Sequence, residues 1–368
     1  RWMAGPPPKS ISELMMSEIR YRVEDMKTFA AQLLIKTGMD DDKALVVAEV
    51  LLEGDLMGHT THGYQLLAPY LGALEAGTLT GTGQPETLND TGPAIAWDGR
   101  SLPGTWLVDQ GLELAVERAR KYGLAAISIR KSHHIATLAA YLKKVTDQGM
   151  MVLVYTSDPA FATVAPFGGL RGAYTPDPIG IGIPTAGDPI LIDISMSITT
   201  NGMTDRLHRE GGKFPHPWIQ DNKGNASNDP ADFHSDPQGT ILPIGGKDHG
   251  HKGFALGLYV EAMTCGLNGY GRKDKPTTWG GSVFMQVYDP EAFGGRENFE
   301  AETAWLVDDC INNPVPQGAP AIRIPGASGL KKRADNMANG IAFHAGIVEA
   351  LEPWSTKTGV AMPVAMKN

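Results

Sequence analysis

The chain has 368 residues and a mass of 39.4 kDa, enough for two domains. Its 32 Lys plus Arg against 41 Asp plus Glu give a formal net charge of -9, which argues against a protein that grips nucleic-acid phosphates. No apolar run approaches the roughly 18 residues of a membrane span, and two cysteines, Cys265 and Cys310, exclude a disulfide-rich scaffold.

The first ten residues (RWMAGPPPKS) are basic but lack an apolar core and a cleavage site, so they make a poor signal peptide and the chain is expected in the cytoplasm. Residues 23–37 carry a broad apolar face at helical spacing, and Gly38 is a plausible stop. Asp40–Asp42 are placed to cap a second helix over KALVVAEVLLEGDLMG, and residues 63–76 form a third candidate despite Pro69. AIAWDG predicts a strand ending in a turn, 112–121 a helix and 124–129 a strand. A helix over 136–147 and a strand over 150–156 follow, then short strands at 179–183 and 189–194. Residues 221–239 read as loop, 253–267 as a buried helix and 284–288 as a strand. Residues 303–310 fit either a strand or a helix, 320–326 a strand-like run, and 330–340 and 347–351 two last helices. The 44 glycines and 26 prolines, denser after residue 150, indicate a loop-rich second half, where ligand sites tend to lie.

No glycine cluster has the spacing and context of a GxGxxG dinucleotide fingerprint, and Walker A and GxSxG are absent. A nucleotide would therefore bind on an unusual fold. Histidines are the informative residues. His59 and His62, three apart in DLMGHTTHGY, fit an acid/base role, a structural role or a metal site, although no HExxH glutamate or nearby cysteine completes a zinc set. His133 and His134 follow a strand end, where a side chain can face a ligand. Adjacent side chains do not readily share a direction, so one of the two can be structural. Asp193 ends an apolar run and precedes Ser195, Ser197, Thr199 and Thr200, which suits either a ligand-holding carboxylate with a phosphate nest or an ordinary helix cap. Lys252 before the apolar helix reads as an anion contact or as a solvated turn.

In order along the chain, the motifs GHTTHG (58–63), SHHI (132–135), VAPFGG (164–169), TPDPIGIGIPT (175–185), LIDISMS (191–197), ILPIGG, HKGFAL and the IPG turn (324–326) resemble the malate/L-lactate dehydrogenase family that lacks a Rossmann domain. The resemblance spans about residues 22–345. It implies an α/β (α+β) fold: a mainly helical domain from 1–130 with 305–368, used for substrate and dimerisation, and an NAD(P)-binding domain at 131–304 on a mostly antiparallel sheet. It implies an NAD- or NADP-dependent oxidoreductase moving a hydride between nicotinamide and a small 2-oxo or 2-hydroxy carboxylic acid, without a metal. A cyclic-imine (Δ1-pyrroline- or Δ1-piperideine-2-carboxylate) reductase is the second reading, and a non-catalytic small-ligand binding protein the third. The implied catalytic residues are His62 and His134. The implied cofactor contacts are Asp193, Ile194, Ser195, Met196, Ser197, His251, Lys252, Gly326, Ala327 and Ser328. A homodimer is implied, with no nucleic-acid or membrane partner. Many members carry a substrate-clamping arginine where this chain has Leu66, so either another basic residue binds the carboxylate or the substrate is placed differently, Gln65 offering only neutral hydrogen bonds.

Overall fold

The computed structural model describes residues 19–366, so the expectation for residues 1–10 lies outside the described residues. Helices α1 (Val23–Lys36), α2 (Asp41–Met57) and α3 (Leu67–Glu75) form the N-terminal helical layer. Met26, Leu33, Leu51, Leu67 and Leu71 are fully withdrawn from solvent there, as the helical spacing of apolar residues requires. Pro69 sits in the first turn of α3, where its missing N–H costs no internal hydrogen bond. Asp40 begins α2 but does not cap it. Its carboxylate instead takes Lys43 Nζ at 2.9 Å and the Gly83 N–H at 3.2 Å, tying the helix to a later loop.

The middle of the chain builds the sheet. Strands β1 (Glu86–Asp90) and β2 (Ala94–Asp98) lead through α4 (Gly104–Tyr122) to β3 (Leu124–Ser132). Because α4 crosses over, β2 and β3 are parallel, and Leu107, Val108, Leu112, Ala115 and Ala119 on α4 are buried. Helix α5 (Ala139–Thr146) precedes β4 (Met151–Ser157), β5 (Ile179–Ile183) and β6 (Ile190–Ile194). The seven-stranded sheet has the order β1-β2-β3-β10-β4-β5-β6, with β10 (Gly281–Tyr288) inserted between β3 and β4. Every pairing except β2–β3 is antiparallel. Gly180 and Gly182 let α5 lie directly on β5, since a Cβ at either position would come within 2.8 Å of Leu138, Thr146 or Val152 side chains.

Helix α6 (Asn201–Arg209) begins the loop-rich region, which holds a small sheet of β7 (Ile219–Gln220), β8 (Ala226–Ser227) and β9 (Thr240–Ile241). Its core is Val164, Tyr174, Phe214, Ile219, Phe233 and Ile241. Helices α7 (His251–Glu261), α8 (Arg296–Ile311), α9 (Ala327–Asn339) and α10 (Glu352–Thr358) complete the order. Helix α9 returns to α2, where Asn336 donates to the Leu56 carbonyl at 3.0 Å and Arg333 pairs with Glu53 at 2.6 Å. Residues 303–310 are thus helical, and the strand-like run at 320–326 forms no ladder, touching β6 by a single backbone hydrogen bond from Leu191 to the Pro325 carbonyl.

The apolar segment 253–267 is helical but not wholly buried. Only Gly253, Gly257 and Val260 of α7 face the protein, while Leu256 and Leu258 stand about half exposed at 46% and 53%. Trp305 on α8 is 65% exposed. Among the described residues no helix is long and apolar enough to cross a membrane.

Candidate active site

The first wall of the site is the loop that leaves α2. Gly58 ends the helix in the left-handed conformation (φ 91°), with its N–H on the Asp55 carbonyl and the His59 N–H on that of Gly54. Asp55 is buried and accepts the Tyr64 N–H at 2.6 Å; burial raises its carboxyl to about 7. That carboxylate occupies the space a side chain at position 63 would need, with its carbon 2.3 Å from where a Cβ would sit, so glycine is required there. The loop's exit is therefore pinned, and His62 immediately before it is held against the cleft. Its Nδ1 lies 2.9 Å from Thr61 Oγ1.

The second wall is the end of β3. His133 points inward, its two ring nitrogens buried without partners among the described residues, against Tyr70 (5.1 Å between centroids) and Trp279 (5.0 Å). Burial lowers its pKa to about 4, so it is a neutral core residue. His134 turns to the cleft and lies face to face with His62, the ring centroids 5.9 Å apart and the planes 26° apart. The Ala136 N–H donates to His134 Nδ1 at 3.2 Å, and Tyr70 Oη lies 3.0 Å from the same nitrogen. A backbone N–H can only donate, so Nδ1 accepts and the proton of the neutral ring sits on Nε2. Burial, reinforced by His62 and His133, holds His134 well below the usual histidine range.

The third wall is β6 and the turn after it. Asp193 Oδ2 accepts from Thr137 Oγ1 at 2.7 Å and from the Ala139 N–H at 2.9 Å. It does act as a helix cap, though for α5 rather than for the next helix, α6, which Thr200 caps. Its charge also acts on His62. Burial lowers the His62 pKa, Asp193 opposes that, and His59 and Arg206 add to it. The imidazole is therefore poised to be neutral near pH 7 while a carboxylate stands ready to support its protonated form.

These walls enclose a cleft of about 1070 Å³, lined among others by His59, His62, His134, Asp158, Asp177, Asp193, Ser195, Thr199, Thr200 and Trp279. Burial raises Asp158 to about 6 and also raises Asp177 well above the usual carboxylate range. Three buried atoms of lining residues, Thr163 Oγ1, Asp177 Oδ2 and Asn201 Oδ1, have no hydrogen-bond partner among the described residues. A cleft of this size, lined by the hydroxyl residues Thr156, Ser157, Ser195, Thr199 and Thr200, fits a long polar ligand such as a nicotinamide dinucleotide. Among the described residues no three His, Cys, Asp or Glu side chains are grouped to hold a metal ion.

Of the residues singled out from the sequence, His59, His62, His134, Asp193, Ser195, Thr199 and Thr200 meet in this cleft. Met196 and Ser197 are buried beneath it, and Ile194 is 48% exposed. His251, Lys252, Gly326, Ala327 and Ser328 lie outside the lining but close to the same strand. Leu191 of β6 donates to the Pro325 carbonyl at 3.1 Å, and the Met196 carbonyl accepts from Ile244, whose own carbonyl accepts from Gly253. Sequence reasoning missed Tyr70, Trp279, Asp158 and Arg206. Trp279 sits in a turn with no periodic signal, and Tyr70 reads as one more core residue of α3 until His134 is placed against it.

A mostly antiparallel sheet and a large cleft lined by His62 and His134, with no Gly-rich phosphate loop, lie outside the Rossmann scheme. The sequence pattern of the family described as malate/L-lactate dehydrogenase matches residues 21–352, and the chain belongs to that family. It is an NAD(P)-dependent dehydrogenase of 2-oxo and 2-hydroxy acids. Similar proteins are a malate dehydrogenase of Pyrococcus abyssi, 26% identical over 93% of this chain and 96% of that one, and an L-lactate dehydrogenase of Cupriavidus necator, 27% identical over 92% and 98%. The crystal structure of malate dehydrogenase from Entamoeba histolytica has the same fold, with a TM-score of 0.88 at 23% identity over 94% of this chain and 99% of that one.

Proposed function

We propose that His62 is the acid/base of hydride transfer and that His134 Nε2–H holds the reacting oxygen of the substrate. The observation that carries this reading is the face-to-face pair itself, a titratable His62 opposite a His134 locked as a donor. In oxidation His62 takes the proton of the substrate hydroxyl, and in reduction it returns one to the new hydroxyl. His134 stabilises the negative charge that develops on that oxygen, and Asp193 stabilises the imidazolium of His62. The bound nicotinamide supplies or accepts the hydride.

The dinucleotide is proposed to run along β6 and its following turn, over Asp193, Ile194, Ser195, Met196 and Ser197. His251, Lys252 and Gly326, Ala327 and Ser328 flank that strand and complete its contacts. Relatives named for malate and for lactate are about equally similar to this chain, so a small 2-oxo or 2-hydroxy acid is the proposed class. Fluorescence titration with NADH and NADPH, followed by a panel of 2-oxo acids and cyclic imino acids, tests it. Oxidation of the reduced cofactor by at least one 2-oxo acid is expected; turnover with imines alone, or with nothing, would overturn it.

A homodimer is proposed as well. The reading rests on the large apolar side chains exposed on two helices, Leu256, Leu258 and Tyr259 on α7 and Trp305 and Leu306 on α8, which a partner copy would cover. Light scattering of the purified chain is expected to read twice the 39.4 kDa chain mass, and a monomer would refute it.

A further inference from the structure

The cleft presents a charge problem. Asp158, Asp177, Asp193 and Asp205 line it, and among the described residues no Lys or Arg does, yet the proposed substrate is an anion. Two cations approach the His62 loop: the exposed Lys332, whose Nζ lies 3.0 Å from where a Cβ on Gly58 would sit, and the buried Arg206, one layer behind the wall. Arg206, on the inner face of α6, is only 8% exposed and has no carboxylate within ion-pair reach among the described residues; Asp55 and Glu210 act on it only from farther away. Its guanidinium donates to Thr60 Oγ1 at 2.9 Å and to Gln65 Oε1. Both acceptors line the cleft.

A guanidinium has donors and no acceptor, so the atoms that face it must be oxygens. Gln65 is thereby fixed with Oε1 toward Arg206, which leaves the two N–H donors of Nε2 for the cleft. Thr60, accepting from Arg206, is left to donate its own hydroxyl proton. Neither Gln65 Nε2 nor the Thr60 hydroxyl proton has an acceptor among the described residues. The result is a pair of donors, two and three residues from His62 in sequence, backed by the buried charge of Arg206.

We infer that Arg206, Gln65 and Thr60 form the site that binds the substrate carboxylate, with Arg206 as the positioning cation and Gln65 Nε2 and Thr60 Oγ1 as the contacts. This rests on the reading of the substrate as a 2-oxo or 2-hydroxy acid. It accounts for a chain that has leucine at position 66 and still must hold an anion, because a charge-assisted amide can serve where a direct guanidinium is missing.

The test uses three variants of the full chain. Gln65→Glu keeps a partner for Arg206 but replaces the cleft-facing donors with a carboxylate. Arg206→Met removes the charge, and Arg206→Lys restores it. Each is loaded with whichever of NADH or NADPH it binds and titrated calorimetrically with oxalate, an anion that cannot be reduced; KM and kcat are then measured with the best 2-oxo acid. Gln65→Glu is expected to weaken oxalate and raise KM at least 30-fold, with kcat within about fivefold and cofactor affinity within threefold. Arg206→Met should lose at least tenfold in oxalate affinity, and Arg206→Lys should recover part of it. Unchanged oxalate affinity in Gln65→Glu, equal losses of cofactor and oxalate in Arg206→Met, or a wild-type chain that binds no oxalate would each overturn the inference. Oxalate binding that depends on Gln65, in a chain that reduces no 2-oxo acid, would uphold this site and refute hydride transfer instead.

Discussion

Replacing His62 with alanine is expected to lower kcat by about 10³-fold, the size of effect that a positioned general acid/base contributes. The argument starts from the loop. Gly63 and Asp55 pin its exit, so the variant loses an imidazole without losing the backbone course that carries it. Cofactor affinity should stay within about threefold, since the dinucleotide is assigned to the β6 side of the cleft. The pH profile supplies an independent check. Burial sets the His62 pKa below the ordinary value of about 6.5, and oxidation requires the neutral ring. In the wild type, kcat/KM for oxidation should therefore rise with pH through a midpoint below 6.5 and stay high at neutrality. Reduction requires the protonated ring, so its kcat/KM should fall over the same range. The H62A variant should lose both limbs. A variant that keeps near wild-type rate from pH 5 to 9 would remove His62 from the chemistry.

The histidines also show where sequence reading stops. GHTTHG leaves an acid/base, a structural and a metal role open for His59 and His62, and the structure puts both on the cleft. In SHHI the sequence leaves open which histidine is structural. The answer depends on Tyr70 and Trp279, distant in sequence, which box in His133, while His134 lines the cleft with its proton on Nε2. The mostly antiparallel sheet was legible only through the family motifs. Periodicity alone does not reveal that β10 enters between β3 and β4, since a strand buried on both faces carries no alternation. The apolar run at 253–267 misleads for a related reason: composition states that a helix is apolar but not what covers it, and α7 is half open to solvent. Arg206 gave no signal at all. It sits in a polar amphipathic helix, where a charged residue is ordinarily solvated, and only the packing of α6 onto the His62 loop turns it inward.

Changing Asp193 to asparagine separates charge from architecture. Asp193 Oδ2 accepts from Thr137 Oγ1 and from the Ala139 N–H, and an amide oxygen can accept both. The N-terminus of α5 should therefore stay capped and folding stability should change by less than about 1 kcal/mol. What the variant loses is the negative charge that opposes the burial-driven fall of the His62 pKa. The pH midpoint should consequently move further down. The imidazolium needed for reduction becomes harder to form, so reduction at pH 7 should slow by about 10²-fold, an effect comparable to removing one electrostatic stabiliser from an active site. Oxidation, which begins from the neutral ring, should keep its pH-independent plateau to lower pH, although its rate also falls because the proton is accepted less readily. Asp193→Ala adds a second cost. It strips the cap from α5 and leaves Thr137 without its acceptor, for a destabilisation of about 1–2 kcal/mol. Steady-state rates in both directions from pH 5 to 9, paired with urea unfolding of D193N and D193A, measure the two contributions separately. An asparagine variant with the wild-type pH midpoint would show that the Asp193 charge does not reach His62 and that its role is the cap alone.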